Sequence, residues 1–348
     1  LWMLHLPKLS SRLLVGLLLL LAFVLRVWNI DFGLPYLYHP DEPRYINVAI
    51  HLFQTGDINP NSFGELSINS FSYVLNAAAY LGYYWVGHLF GVFDSPQALA
   101  PLEMITMATG KAPLPSLVLY SRLITALFGV GAVYVLYLTG RAFAQSEVVG
   151  LLAGLFLAVS PGNVVHSKFV IGDEILVFFV CVALWTTLKI YERSKVSDYL
   201  IAGATAGFAL SVKLTGAIVI LPMALAHLWR YRQRSLQQPR LYLGAIAAII
   251  AFVLTTPFIL VDPMKVVADW QFESSHYASS HAGMEGDTLL WYANYLWGIE
   301  GLVVILGIVG LLLSLFRKPK LTVMMGSLLV CYVVIIGGIP VRNDRTIL

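Results

Sequence analysis

Apolar residues fill this chain in long blocks, and the polar positions gather in the gaps between them. The blocks run over residues 13–30, 71–93, 118–140, 148–165, 175–191, 199–229, 241–261, 291–316 and 321–339. Most are about 20 residues long, enough for a helix to cross the hydrocarbon core of a bilayer. A membrane β-barrel would need about ten-residue segments of alternating polarity, which the chain lacks. The pattern predicts an all-α fold, a polytopic transmembrane helical bundle.

Two blocks break the regularity. Residues 199–229 are too long for one ordinary span and carry Lys213 in the middle, so two short helices with Lys213 at the hairpin tip are expected. Residues 71–93 hold Ser72, Asn76, four tyrosines, Trp85 and His88, the composition of a helix at the membrane interface. The distribution of Lys and Arg supports both choices. With 71–93 interfacial and 199–229 a hairpin, one side receives Lys8, Arg12, Arg141, Arg193, Lys195, Arg230, Arg232, Arg234, Arg240, Arg317, Lys318 and Lys320. Its only acids are then Glu147, Glu192 and Asp198. By the positive-inside rule that side is cytoplasmic. The expectation is nine spans with the N-terminus in the cytoplasm. A large first extracytoplasmic loop, 31–117, carries the interfacial helices, and further outer loops cover 166–174 and 262–290 and begin at Val341.

Composition agrees: of 348 residues 58% are hydrophobic and 12% charged, with mean hydropathy +0.77. A soluble domain carries about twice that charge fraction. The net charge of +3 says little by itself beside its segregation by membrane side; membrane lipids are the expected surroundings, and no nucleic-acid partner is expected. Cys181 and Cys331 sit inside apolar blocks as buried thiols. Leu13 to Ile30 reads as an uncleaved first span. Residues 1–348 are expected to form one transmembrane domain of a longer polypeptide in a bacterial plasma membrane.

The chemistry-bearing residues fall on the outer side. Residues 40–56 carry helix signals: Asp41 as N-cap, Pro43 in the first turn and Gly56 as the stop. Ile46, Ala49, Ile50 and Phe53 make an apolar face suited to lying along the membrane. Glu42 and Arg44 are left for chemistry, and Arg44 stands one turn from Asp41. An arginine fork suits phosphate, and a neighbouring carboxylate suits proton removal from a hydroxyl or amine. The second outer loop, His166 to Glu174, again sets a base, Lys168, beside acids, Asp173 and Glu174. Those acids also suit the N-terminus of the next helix. Asp41 and Asp173 are weak candidates for holding a divalent metal ion through oxygen ligands; no spacing here is a metal signature. Lys213 must snorkel, pair or line a polar cavity. Arg122 reads as the partner of an outer-loop acid. The loop with His276, His281, Glu285 and Asp287 reads as a solvated loop or a lid rather than a metal site. Arg342 and Arg345 flank Asp344 and read as a contact for a phosphate or lipid headgroup, or as a plain juxtamembrane cluster.

These residues carry a family likeness. Asp41-Glu42-Pro43-Arg44-Tyr45 after a first span resembles the Asp-Glu-x-Arg-Tyr signature of GT-C glycosyltransferases. Ser121 to Gly129, Gly140-Arg141, Ser160-Pro161, Ser167-Lys168 with Asp173, and Ala209 to Gly216 follow in the order seen in lipid A aminoarabinose transferases and protein O-mannosyltransferases. One departure stands out: many relatives carry a Lys-Pro-Pro run where this chain reads Ser67-Ile68-Asn69-Ser70-Phe71. The resemblance implies inverting transfer of a sugar from a polyprenyl-phosphate donor to a lipid, glycan or protein acceptor at the extracytoplasmic face. It implies Asp41 as base or ligand to an activating ion, with Glu42 and Asp173 in the catalytic set. Arg44, Lys168, Lys213, Arg342 and Arg345 would meet donor phosphate, and Tyr45 and His166 the substrate. Two other readings fit the same residues: a lipid or solute transporter, and a non-catalytic subunit of a membrane complex that keeps the fold.

Overall fold

The computed structural model describes residues 10–99, 110–112, 114–279, 283–284 and 286–343. Among them lie fourteen α-helices and a single β-bridge, Tyr36 to Lys111. In chain order they are α1 (Ser11–Val27), α2 (Glu42–Thr55), α3 (Ser70–Leu89), α4 (Pro115–Ala144), α5 (Glu147–Val159), α6 (Pro161–His166) and α7 (Asp173–Glu192). The chain continues with α8 (Val196–Val212), α9 (Ile220–Tyr231), α10 (Pro239–Thr255), α11 (Pro263–Ala278), α12 (Thr288–Glu300), α13 (Leu302–Arg317) and α14 (Pro319–Gly337). The fold is the expected all-α, polytopic bundle.

Among the described residues, α4, α7, α14 and the stretch 214–237 containing α9 are long and apolar enough to cross a bilayer. Helices α5, α8 and α10 are shorter apolar helices, and α3 is not among the candidate spans. The 199–229 block breaks at Lys213, whose extended backbone (φ −160°, ψ 144°) ends α8 before a 3₁₀ stretch leads into α9. Two expectations need correction. The 148–165 block divides at Ser160-Pro161 into α5 and α6, because proline cannot continue the helix it would interrupt. The 291–316 block is no straight span: α12 and α13 meet at 110°. Gly301 turns the chain there with φ +51°, a conformation that suits glycine. Trp291, Tyr292, Asn294, Tyr295 and Trp297 give α12 the composition of an interfacial helix.

Helices α8 and α10 approach through small residues. A Cβ on Gly203 would come within 1.9 Å of the Gly244 carbonyl oxygen, and one on Gly207 within 2.2 Å of that of Ala248. Backbones this close need small-xxx-small spacing. Gly207→Val is therefore expected to separate the pair, at a cost of about 1–3 kcal/mol or more. A lower thermal midpoint in detergent with retained helical circular dichroism would report it; an unchanged midpoint would contradict the close contact.

Helix α7 joins the two ends of the bundle. Its 20 residues span about 30 Å at 1.5 Å per residue, with Asp173 at one end and Glu192 at the other. At the Glu192 end, Arg193 meets Asp198 at 2.7 Å and Arg141 meets Glu147 at 3.0 Å. Arg240 donates to the Ser194 carbonyl, and Lys318 to that of Phe143. At the Asp173 end gather α2, α3, α11 and the α6–α7 loop. The segregation of bases from the motif acids is thus a property of the folded molecule.

Candidate active site

Helix α2 supplies the first side chains. Pro43 lies in its first turn and Gly56 closes it in the left-handed region at φ 70°. Asp41 stands at the N-cap position with an αR backbone (φ −89°), and its side chain makes no capping bond. Simple capping therefore does not explain Asp41. The apolar face of α2 also differs from expectation: Ile46, Ala49 and Ile50 are buried in a core with Tyr73, Ala77 and Tyr80 of α3. It packs inward because α3 supplies a better apolar partner than the interface.

Glu42 leaves the catalytic set. It is fully buried, and its two oxygens accept from Arg122 Nε and Nη2, each at 2.9 Å. The Val170 N–H adds a third bond at 3.0 Å. Arg122, equally buried, donates to the carbonyls of Ile30 and Phe32 and lies 4.5 Å from the Phe32 ring centre. Both carboxylate oxygens are committed, so Glu42 is a latch joining α2, α4, the end of α1 and the α6–α7 loop. The expectation that Arg122 pairs with an outer-loop acid describes this latch.

Arg44 turns to other partners than the expected Asp41. Its Nε donates to Tyr73 Oη at 2.9 Å and lies 2.7 Å from Glu65 Oε2. Burial opposes its charge, but Tyr73, Tyr45 and Glu65 outweigh that and hold its pKa above the ordinary value. Tyr45 is buried and packs at 5.6 Å from Tyr73. Burial, followed by the nearby Tyr73 and Asp173 and, more weakly, Asp41, raises its pKa well above that of a free phenol. It stays a hydroxyl group at neutral pH, within the fields of both aspartates.

Asp173 opens α7 and is nearly buried; Lys213 Nζ donates to it at 2.9 Å. A Cβ on Gly172 would reach Ser72 Oγ at 3.2 Å and Tyr45 Oη at 3.7 Å. This close approach brings the start of α7 against α2 and α3. Asp41, Tyr45, Asp173 and Lys213 are thereby drawn to one end of the bundle. The remaining candidates lie around them. Lys168 donates to the Trp28 carbonyl at 2.9 Å, and burial lowers its pKa. It is turned toward the end of α1 rather than toward Asp173. His166 is buried, 6.1 Å from the Phe169 ring. Arg342 lies 5.9 Å from the Trp291 ring centre. Arg345, His281 and Glu285 fall outside the described residues.

Two polar connections were not anticipated. Glu174 is buried and accepts from Asn163 Nδ2 at 2.7 Å, while Asn163 Oδ1 accepts from the buried Arg26 of α1. Arg26 also donates to the carbonyls of Ala22, Leu157 and Ala158. An arginine inside the first apolar block was the available signal. The second is Asp269 on α11, where the sequence suggested only a loop. It accepts from the Ser67 N–H at 2.8 Å, the Ser67 hydroxyl, Asn61 Nδ2 and Lys265 Nζ. Burial would raise its pKa, but these bonds hold it below the ordinary value.

Two adjoining cavities open beside Lys213. One, of about 550 Å³, lies among Ile68, Thr215, Glu273, Tyr277, Tyr292 and Ile339. The other, of about 290 Å³, reaches Asp173 and runs along Leu176, Val180, Leu296 and Leu328. Lys213, Thr215, Ile218, Tyr332 and Ile336 line both. A charged pair thus stands where two mostly apolar spaces meet. For a metal ion the donor set is poor. Among the described residues no three His, Cys, Asp or Glu side chains form a ligating group, and Asp173 already accepts from Lys213.

The fold has known counterparts. The family model described as dolichyl-phosphate-mannose-protein mannosyltransferase matches residues 118–259. The lipid A galacturonosyltransferase RgtD of Rhizobium johnstonii is 25% identical over 188 residues, 53% of this chain and 38% of that protein. Dolichyl-phosphate-mannose–protein mannosyltransferase 5 of Saccharomyces cerevisiae is 25% identical over 231 residues, 64% of this chain and 28% of that protein. The chain therefore spans well under half the length of these curated relatives. Among solved structures, ArnT from Cupriavidus metallidurans bound to undecaprenyl phosphate superposes with a TM-score of 0.62 at 18% identity. That match covers 97% of this chain and 57% of ArnT. The apo oligosaccharyltransferase of Archaeoglobus fulgidus gives 0.57 at 16% identity, covering 98% and 49%. The chain is thus similar over residues 118–259 to protein O-mannosyltransferases, is similar in sequence to a lipid A galacturonosyltransferase, and shares the fold of ArnT.

Proposed function

We propose that this chain transfers a sugar from a polyprenyl-phosphate donor to a lipid, glycan or protein acceptor at the extracytoplasmic face of its membrane. The observation that carries this reading is the Lys213–Asp173 pair at the meeting of the two apolar cavities. A lipid-linked donor needs an apolar space for its isoprenoid and a cation where its phosphate emerges. The similarity to a dolichyl-phosphate-mannose–protein mannosyltransferase and to ArnT bound to undecaprenyl phosphate supports the same donor class.

The chemistry is a single displacement. The acceptor oxygen or nitrogen forms a bond to the anomeric carbon as the bond from that carbon to the phosphate oxygen breaks. The electron pair leaves with the phosphate, and the anomeric centre inverts. Asp41, whose side chain does not cap its helix, takes the acceptor proton. Lys213 stabilises the charge gathering on the departing phosphate, with Asp173 fixing its position. Arg44 adds positive potential from α2. Glu42 holds α2 against the α6–α7 loop.

Lys213→Met removes the proposed phosphate contact. Affinity for undecaprenyl phosphate in nanodiscs should fall about 10- to 100-fold, the range for a hydrogen bond to a charged group. Equal affinity for parent and variant would reject the assignment. Orientation is tested by cysteine labelling at the exposed Tyr38 and Leu236; a reagent that cannot cross the membrane should reach only the first in intact cells. The transporter reading would be favoured by specific transbilayer movement of the lipid without sugar transfer.

A further inference from the structure

We propose that Glu273 selects the transferred sugar by charge, admitting neutral or amine-bearing sugars and rejecting uronic acids. This rests on the polyprenyl-phosphate-sugar reading above. Among the described residues, Glu273 is the one acid lining the 550 Å³ cavity. Among the described residues it makes no hydrogen bond or ion pair, unlike Asp41, Glu42, Asp173, Glu174 and Asp269.

Its placement follows from α11. Asp269, Glu273 and Tyr277 are spaced four apart and so share one face of the helix. Asp269 is bonded to Ser67 and Asn61, which fixes the rotation of α11 against the 61–67 segment. Glu273 and Tyr277, one and two turns on, are then presented to the cavity beside Ile68 and Asn69. Tyr277, Tyr292 and Tyr332 line the same cavity. A few fixed polar groups in an otherwise apolar pocket are what orient a ligand.

The charges in the cavity then decide which sugars enter. Lys213, on the same cavity, already shares its charge with Asp173 and would also face the donor phosphate. Among the described residues lining this cavity, Lys213 is the one Lys or Arg. A sugar hydroxyl or ammonium group can donate to this carboxylate in a charge-assisted bond. A sugar carboxylate can only repel it: like charges about 6 Å apart, at an effective dielectric of about 20, disfavour binding roughly 100-fold.

The test uses the full chain in nanodiscs and three probes: undecaprenyl phosphate, its mannosyl ester and its galacturonosyl ester. The parent should bind the mannosyl lipid roughly 100-fold more tightly than the galacturonosyl lipid. Glu273→Gln keeps the shape, removes the charge and should bring the two within a few-fold, chiefly by tightening the galacturonosyl lipid. Glu273→Lys should reverse the preference. Sugar-free undecaprenyl phosphate should bind all three proteins with affinities equal within a few-fold, which separates sugar recognition from phosphate recognition and from misfolding. A parent that binds both esters equally, or a gap that Glu273→Gln leaves intact, overturns the proposal while leaving the donor class standing. A parent that binds none of the three lipids overturns the donor class and this proposal with it.

Discussion

Asp41→Asn should reduce sugar transfer by about 10²–10⁴-fold, the range a positioned general base contributes, while leaving the protein folded and able to bind undecaprenyl phosphate. The substitution exchanges one oxygen for an amide of nearly the same size. Asp41 stands at the start of α2 without a side-chain capping bond, so the exchange breaks no such bond. Its charge reaches Tyr45, which also lies in the field of Asp173. The base therefore sits on the same end of the bundle as the Lys213–Asp173 pair that is proposed to hold the leaving phosphate. Purified parent and variant, given a radiolabelled polyprenyl-phosphate sugar and membrane acceptors, would be compared for turnover and for binding of the sugar-free lipid. Loss of turnover with intact binding is expected. Equal turnover would remove Asp41 from the mechanism, and parallel loss of binding would reduce it to a structural residue. Product from a donor of known anomeric configuration should show inversion, since one base and one displacement suffice.

The parts of this site legible in the sequence were those governed by neighbours in the chain. A lone lysine in an apolar block marks a break, and α8 does end at Lys213. Pro43 and Gly56 bound α2 because one suits a first turn and the other a left-handed stop. What the sequence could not disclose were choices between distant partners. Glu42 and Arg44 are two residues apart, yet one is sealed against Arg122 and the other turns to Glu65 and Tyr73. Nothing local distinguishes those fates; the packing of α2 on α3 and α4 does. The Arg26–Asn163 contact joins positions 137 apart in sequence, so no periodicity could pair them. Helix α11 was a missed signal of another kind. Asp262-Pro263 is a helix start, and Asp262 does accept from the Lys265 N–H at 2.9 Å; the surrounding polar composition masked it.

Glu42→Gln should destabilise the protein by about 3–5 kcal/mol, because removing one charge of a buried pair leaves the other uncompensated. The side chain keeps its shape, but its amide nitrogen would face either an Arg122 donor or the Val170 N–H, both of which now donate to an oxygen. Arg122→Leu should cost as much or more, since it also frees the Ile30 and Phe32 carbonyls. Pairing Glu42→Met with Arg122→Leu should cost less than the sum of the single changes, because no charge is then left buried alone. Thermal unfolding of all four proteins in one detergent measures the coupling. Activity should follow stability: Asp41 is the residue before Glu42, so loosening the latch also loosens the proposed base. The latch and a chemical role for Glu42 predict different patterns. Glu42→Gln with parental stability and a selective loss of turnover would return Glu42 to the chemistry, whereas strong destabilisation relieved in the double variant would assign it to holding α2 in place.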